Sequence, residues 1–274
     1  MTEGHPWLSI ARGEAPLIVS MPHTGVEIPV AKGALLASPW LARKDADRWI
    51  DRLYDFAPML GATVIRTAIC RTVIDVNRDP SGVSLYPGQN TTELCPTTTF
   101  DGEPLYRDNC TPDAAEIGSR RTFFFDPYHA AIGAEIARLR KMHPTIVLFD
   151  AHAIRSRIPR LFDGELPHFN IGTNGGASCA PELTQAVEAV CARTKMSRVV
   201  NGRFKGGYTT RHYGAPERGV HAIQMELAMR GYMDEPNIAS PQNWPRPYDP
   251  ERAALMREAL EQVLESCIAF AENA

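Results

Sequence analysis

Three apolar stretches of this chain run into side chains able to bind a metal or move a proton. Leu17-Ile18-Val19 leads into Met21-Pro22-His23-Thr24-Gly25, Thr145 to Phe149 leads into Asp150-Ala151-His152, and Gly219 to Met225 leads into Glu226. Neutral imidazole is a common zinc donor, so His23, set on a bend, reads either as a ligand or as a turn histidine held by a backbone hydrogen bond. Asp150 and His152 share a side if the strand persists through them, because side chains alternate with period two. Asp150 is then a second ligand or the group that orients the imidazole. Glu226 stands among apolar residues, where a carboxylate is costly unless paired; it faces a cleft or closes a buried ion pair, with Ala222 and Gln224 on its face. Asp47 is a further carboxylate, in Asp45-Ala46-Asp47, with a competing role as a helix N-terminal charge.

Arginines recur near these segments: Arg71, Arg78 in Asp75-Val76-Asn77-Arg78, Arg155 just after His152, and Arg211 in Thr209-Thr210-Arg211-His212. Guanidinium groups grip carboxylates through paired donors, so several around one pocket suit an anionic substrate. Other chemistries find less support. The loop Gly172 to Ser178 is able to cradle an anion but lacks the Lys-Ser/Thr ending of a P-loop. Neither a serine elbow (GxSxG) nor HExxH is present. Cys179, ahead of an expected helix, is the one position where a helix N-terminus would favour a thiolate.

The elements that must hold these residues follow from periodicity. Short apolar or β-branched runs predict strands at 17–20, 62–66, 72–76, 145–150, 169–172 and 219–227. Helices are expected over Asp45–Ala57, Pro127–Lys141, Pro181–Arg193 and Pro250–Phe270. The Pro-, Gly- and Thr-rich stretch 77–125 reads as a long functional loop. Strands alternating with helices predict one α/β domain over residues 1–274, with a mostly parallel or mixed central sheet flanked by helices. In such sheets ligands collect beyond the carboxyl ends of the strands, which makes a shared pocket for His23 and His152 plausible.

Composition fits that picture. The chain has 274 residues, 44% hydrophobic and 22% charged, which excludes a wholly disordered protein. A net charge of −3 without a basic tract gives no footprint for nucleic acid, and no apolar run is long enough to span a membrane. Six cysteines without a CxxC pair, and an N-terminus unlike a secretory signal, point to reduced thiols in a cytoplasmic protein.

Several blocks together carry a resemblance. Met21–Gly25, Ile74–Arg78, Leu85–Asn90, Phe149–His152, Asp163-Gly164, Gly172–Asn174, the run Gly202–Gly214 (GRFKGGYTTRHYG) and His221–Glu226 resemble the N-formylglutamate amidohydrolase (deformylase) family, in order, over roughly 15–235. The resemblance implies hydrolysis of N-formyl-L-glutamate to formate and L-glutamate, the last step of one route of histidine degradation. It also implies a divalent metal, usually Zn2+ with Co2+ as an alternative, and a fold similar to zinc carboxypeptidases and aspartoacylases. Those relatives hold the metal with a His-x-x-Glu pair and a distant His. Here Val26 stands three residues after His23, so the middle ligand comes from elsewhere: Asp47 first, then Glu27, then Asp150. The implied site is then His23, Asp47 and His152 for metal and Glu226 as general base. Asn77, Arg78 and Arg211 bind a small anionic N-acyl amino acid, with Arg71 and Arg155 as further members. Another N-acyl amino acid as substrate, or a non-catalytic anion-binding protein on this fold, are the alternatives.

Overall fold

The computed structural model describes residues 5–274. Seven strands form one mixed sheet: β1 (Leu8–Ala11), β2 (Leu17–Met21), β3 (Thr63–Thr67), β4 (Ile146–Ile154), β5 (Phe169–Gly172), β6 (Arg198–Val200) and β7 (Val220–Ala228). Their order is β1-β3-β2-β4-β7-β5-β6. The central strands β3, β2, β4 and β7 run parallel, and β1 and β5 join them antiparallel. The helices are α1 (Val30–Gly33), α2 (Ile50–Leu53), α3 (Ala114–Arg120), α4 (Asp126–Leu139), α5 (Pro181–Ala192), α6 (Tyr208–Tyr213) and α7 (Pro250–Asn273). The α/β class with a mixed, helix-flanked sheet is therefore what the molecule has. Among the described residues no helix is long and apolar enough to cross a membrane.

Both faces of the sheet are covered, and strand alternation divides the core. Val19, Val147, Phe149, Ile223 and Met225 face α5 and α7, packing with Leu183, Val187, Leu260 and Val263. Ile18, Ile146, Leu148 and Ala222 face α4, packing with Tyr128, Ile132 and Leu139. Continuing that second face along β4 and β7 by steps of two gives Asp150, His152, Gln224 and Glu226. The boundary is marked by Ser20, whose Oγ meets Tyr128 Oη of α4 at 2.9 Å and donates to Asp150 Oδ1 at 3.1 Å. One face of the sheet is thus apolar under α4 and polar beyond it.

Three expectations change. The helix over 45–57 shrinks to the single turn α2, since Trp49 takes a left-handed backbone (φ 65°) and the segment before it bonds elsewhere. Asp45 accepts from the Phe100 amide, and the Asp47 amide donates to the His23 carbonyl. Residues 72–76 form turns rather than a strand, because their carbonyls are taken by side chains: Arg120 Nη1 donates to Val73 O and His129 Nε2 to Val76 O. The expected loop 77–125 ends earlier, at α3, whose first turn is capped by Asp113 accepting from the Glu116 amide.

Candidate metal centre

β4 and β7 pair in register, with His152 opposite Glu226 and Asp150 opposite Gln224. β2 runs parallel beside β4, and the chain leaving it turns to place His23 over the same sheet end. His23 Nδ1 lies 3.1 Å from His152 Nδ1 and 3.6 Å from Asp47 Oδ2, and His152 Nδ1 lies 3.1 Å from that oxygen. All three residues are buried. The structure therefore brings His23, Asp47 and His152 together. Glu27 is exposed and forms a parallel bridge with Ile69 after β2, outside the cluster, and Asp150 lies behind His152, 2.9 Å from its Nε2.

The surrounding groups decide what the cluster can hold. His23 Nε2 lies 2.7 Å from Asp75 Oδ1, so both imidazoles turn Nε2 toward a carboxylate and keep Nδ1 for the centre. A carboxylate behind each ring fixes the Nε2–H tautomer and strengthens the other nitrogen as a donor. Two Nδ1 lone pairs and a carboxylate oxygen this close repel one another unless a cation stands among them. The separations suit a small ion: a tetrahedron with bonds of about 2.0–2.1 Å has edges of about 3.3 Å. Without metal, a proton does part of this work. Burial acts against charging His152, but Asp150 and Asp47 raise it well above the usual histidine value. Burial would likewise raise Asp47, yet the two imidazoles and Arg71 hold it well below the carboxylate range.

A network of loop residues keeps these donors in place. Arg71 donates to Asp47 Oδ1 (3.2 Å) and to Asp75 Oδ2 (2.7 Å), with its guanidinium 4.8 Å from the Phe100 ring centre. Asp47 Oδ2 also accepts from the Ala153 amide. Asn77 donates to Asp150 Oδ2 at 3.0 Å and accepts from the Thr209 amide at 2.7 Å. Gly207 packs so closely here that a Cβ would come within 2.4 Å of Asn77 Nδ2, a reason for glycine at that position. Its amide donates to Gln224 Oε1, and Gln224 Nε2 donates to Glu226 Oε2 at 3.2 Å. Burial pushes the Glu226 carboxyl up to about 8; His152 opposes that rise and the charge on Asp47 adds to it. A buried carboxyl tuned toward neutral pH beside a cation site is suited to exchanging protons.

The cavity over this centre is lined by His23, His152, Glu226, Asn77, Arg71 and Arg78, and on its outer wall by Tyr86, Arg203 and Phe204. Arg78 reaches in from its anchors on Thr92, 3.6 Å from Asp75 Oδ2. Arg211 is absent from the wall; its Nε donates to Gly206 O and its guanidinium lies 5.0 Å from the Tyr86 ring centre. Arg155 is also absent, bound to Asp101 and Asp45. Residues 79–91 form a strap beside the cavity, lining it with Tyr86, Asn90 and Thr91 and fastened where Tyr86 Oη donates to Gly206 O and Asn90 Nδ2 donates to Arg160 O. Sequence reasoning passed over Asp75, Gln224, Tyr86 and Arg203 as site residues. For Asp75 a signal existed: a carboxylate inside Val73-Ile74-Asp75-Val76 carries the same burial cost that singled out Glu226.

A mixed α/β sheet with a His/His/Asp cluster at the carboxyl ends of its central parallel strands defines a metal-binding α/β protein. The N-formylglutamate amidohydrolase family profile matches residues 15–233. N-formylglutamate deformylases of Pseudomonas aeruginosa and Pseudomonas putida are 46% and 42% identical over 264 residues, each covering 96% of both chains. The chain belongs to the N-formylglutamate amidohydrolase family. The crystal structure of N-formylglutamate amidohydrolase from Ralstonia eutropha JMP134 shares the fold, with a TM-score of 0.79 at 21% identity over 97% of this chain and 98% of that one. A gene product of Agrobacterium tumefaciens gives a TM-score of 0.67 at 18% identity, covering 96% of each chain.

Proposed function

We propose that this chain hydrolyses N-formyl-L-glutamate to formate and L-glutamate, closing a route of histidine degradation. The observation that carries the reading is the convergence of His23 Nδ1, His152 Nδ1 and Asp47 Oδ2 beside a buried Glu226. His23, Asp47 and His152 would hold a divalent cation. Two imidazoles and a carboxylate favour Zn2+, with Co2+ as a substitute. When bound, that ion supplies Lewis acidity, lowering the pKa of a water and polarising a carbonyl oxygen.

The chain's own residues do the rest. Glu226, with Oε2 held by Gln224, takes a proton from the attacking water as its oxygen adds to the formyl carbon. It returns that proton to the glutamate nitrogen as the C–N bond breaks, so formate leaves with the water's oxygen. Arg78 and Asn77 receive the carboxylate next to the reacting amide. Arg71 acts chiefly by fixing Asp47 through its two ion pairs, and Arg211 by supporting Tyr86. Arg155, paired with Asp45 and Asp101, belongs to the support of the loop that carries Asp47.

We further read the molecule as one domain, akin to zinc carboxypeptidases and aspartoacylases; metal donors at the carboxyl ends of parallel strands support that kinship. All six cysteines are free, in keeping with a cytoplasmic enzyme. The test is formate release from N-formyl-L-glutamate by the purified protein, after chelation, and after Zn2+ or Co2+ is restored. Turnover that vanishes and returns with metal is the expected result. No formate under any metal would overturn the substrate assignment.

A further inference from the structure

Charge around the cavity is unevenly matched. Arg71 is neutralised by Asp47 and Asp75, and Arg78 stands 3.6 Å from Asp75. Arg203, which lines the same cavity, pairs with no carboxylate among the described residues. It is nonetheless held firmly. Its Nε donates to Leu161 O and its Nη2 to Asn90 O, both at 2.8 Å, and the guanidinium lies 5.3 Å from the ring centres of Tyr86 and Phe204. Carbonyls and aromatic faces steady a cation without cancelling its charge. The remaining nitrogen, Nη1, makes no hydrogen bond to the described protein, so a fixed guanidinium keeps a donor for a ligand.

Position tells which part of the ligand this donor meets. Arg78 and Asn77 are joined to Asp75 and Asp150, the residues directly behind the metal donors. The hydrogen bonds of Arg203 go instead to Leu161 and to Asn90, on segments of the cavity lining that carry none of the three clustered donors. Resting on the hydrolase reading above, we propose that Arg203 is the specificity-determining residue for the substrate's side chain, receiving its terminal carboxylate on Nη1. A substrate with two carboxylates then spans from Arg78 to Arg203, while one with a neutral side chain leaves Arg203 unmatched.

The test compares N-formyl-L-glutamate with N-formyl-L-glutamine, its neutral isostere, in the wild type, Arg203→Met and Arg203→Lys, with metal content and melting temperature recorded for each. The wild type is expected to prefer the glutamate substrate by about 10²-fold in kcat/KM, the scale of a hydrogen bond between charged groups. Arg203→Met should lower kcat/KM for N-formyl-L-glutamate by a similar factor and change that for N-formyl-L-glutamine by less than about threefold, so the preference collapses. Arg203→Lys keeps the charge but not the fixed fork, and should retain part of the preference; it carries the test if the Met variant fails to fold. Equal losses on both substrates, or an unchanged preference, would overturn the role of Arg203. No formate from either substrate with the metal-loaded wild type would instead overturn the hydrolase reading itself.

Discussion

The two halves of the metal centre are built differently. Asp150, His152, Gln224 and Glu226 stand on two paired strands, each placed by backbone register. His23, Asp47, Arg71, Asp75 and Asn77 stand on irregular chain, each placed by bonds to other side chains and to the sheet. Strand placement is inherited from the ladder and the apolar packing beneath it, and one side chain can change without moving its neighbours. Placement in the loops is reciprocal. Asp75 orients His23, anchors Arg71 and accepts from the Asn77 amide, so removing it loosens three groups together.

Substitutions on either side of that divide should separate the two modes. The largest effect is expected for His152→Ala, which removes a donor from the rigid half: turnover falls to background and the purified protein loses stoichiometric metal, as metal analysis would show. Glu226→Gln should cut kcat by about 10²–10⁴ while metal stays bound, since on the proposed mechanism it removes a proton carrier and no donor. Turnover near that of the wild type would remove Glu226 as the base. Asp75→Asn and Asp150→Asn test the comparison itself. Each should weaken metal affinity by about 10–100-fold, with the larger loss for Asp75, whose partners His23, Arg71 and the Asn77 amide all stand on irregular chain, whereas Asp150 is backed by Ser20 and His152 on strands. A titration with a competing chelator reads both, and equal losses would mean that the loop half is as independent as the strands.

The smallest effect concerns stability. Burial holds the Glu226 carboxyl near 8, far above the ordinary glutamate range, so the folded protein keeps a proton there that the unfolded chain has released. Folding stability from this group is therefore full below about pH 4.5 and is lost as pH rises toward 8 and beyond. In chelated protein, Glu226→Gln should melt at a temperature that falls less than the wild type's between pH 5 and 9. Parallel melting curves would contradict that placement of the proton.

The same divide explains what could be read in the sequence. β2, β4 and β7 are legible as apolar runs, and period-two alternation places Asp150 with His152 and Gln224 with Glu226. The loop half had no such period. Residues 72–76 looked like a strand because Val73, Ile74 and Val76 are apolar, yet their burial is satisfied by Arg120 and His129 gripping the carbonyls from elsewhere in the chain. Asp47 looked like a helix start because neither its tie to the His23 carbonyl nor the left-handed Trp49 leaves a local trace. Arg203 lies inside the Gly202–Gly214 block, and that it has no acidic partner among the described residues is a tertiary feature with no local trace.

The strap beside the cavity bears on which parts of the molecule are free to vary. Residues 79–91 supply Tyr86 and the Asn90 carbonyl to the outer wall, but none of the metal donors and not Glu226. Much of the segment is solvent-exposed, the kind of surface connection that accepts changes of length and composition. Exchanging it would change what steadies the Arg203 guanidinium, through Asn90 and Tyr86, while Asp150, His152, Gln224 and Glu226 keep their places on the sheet.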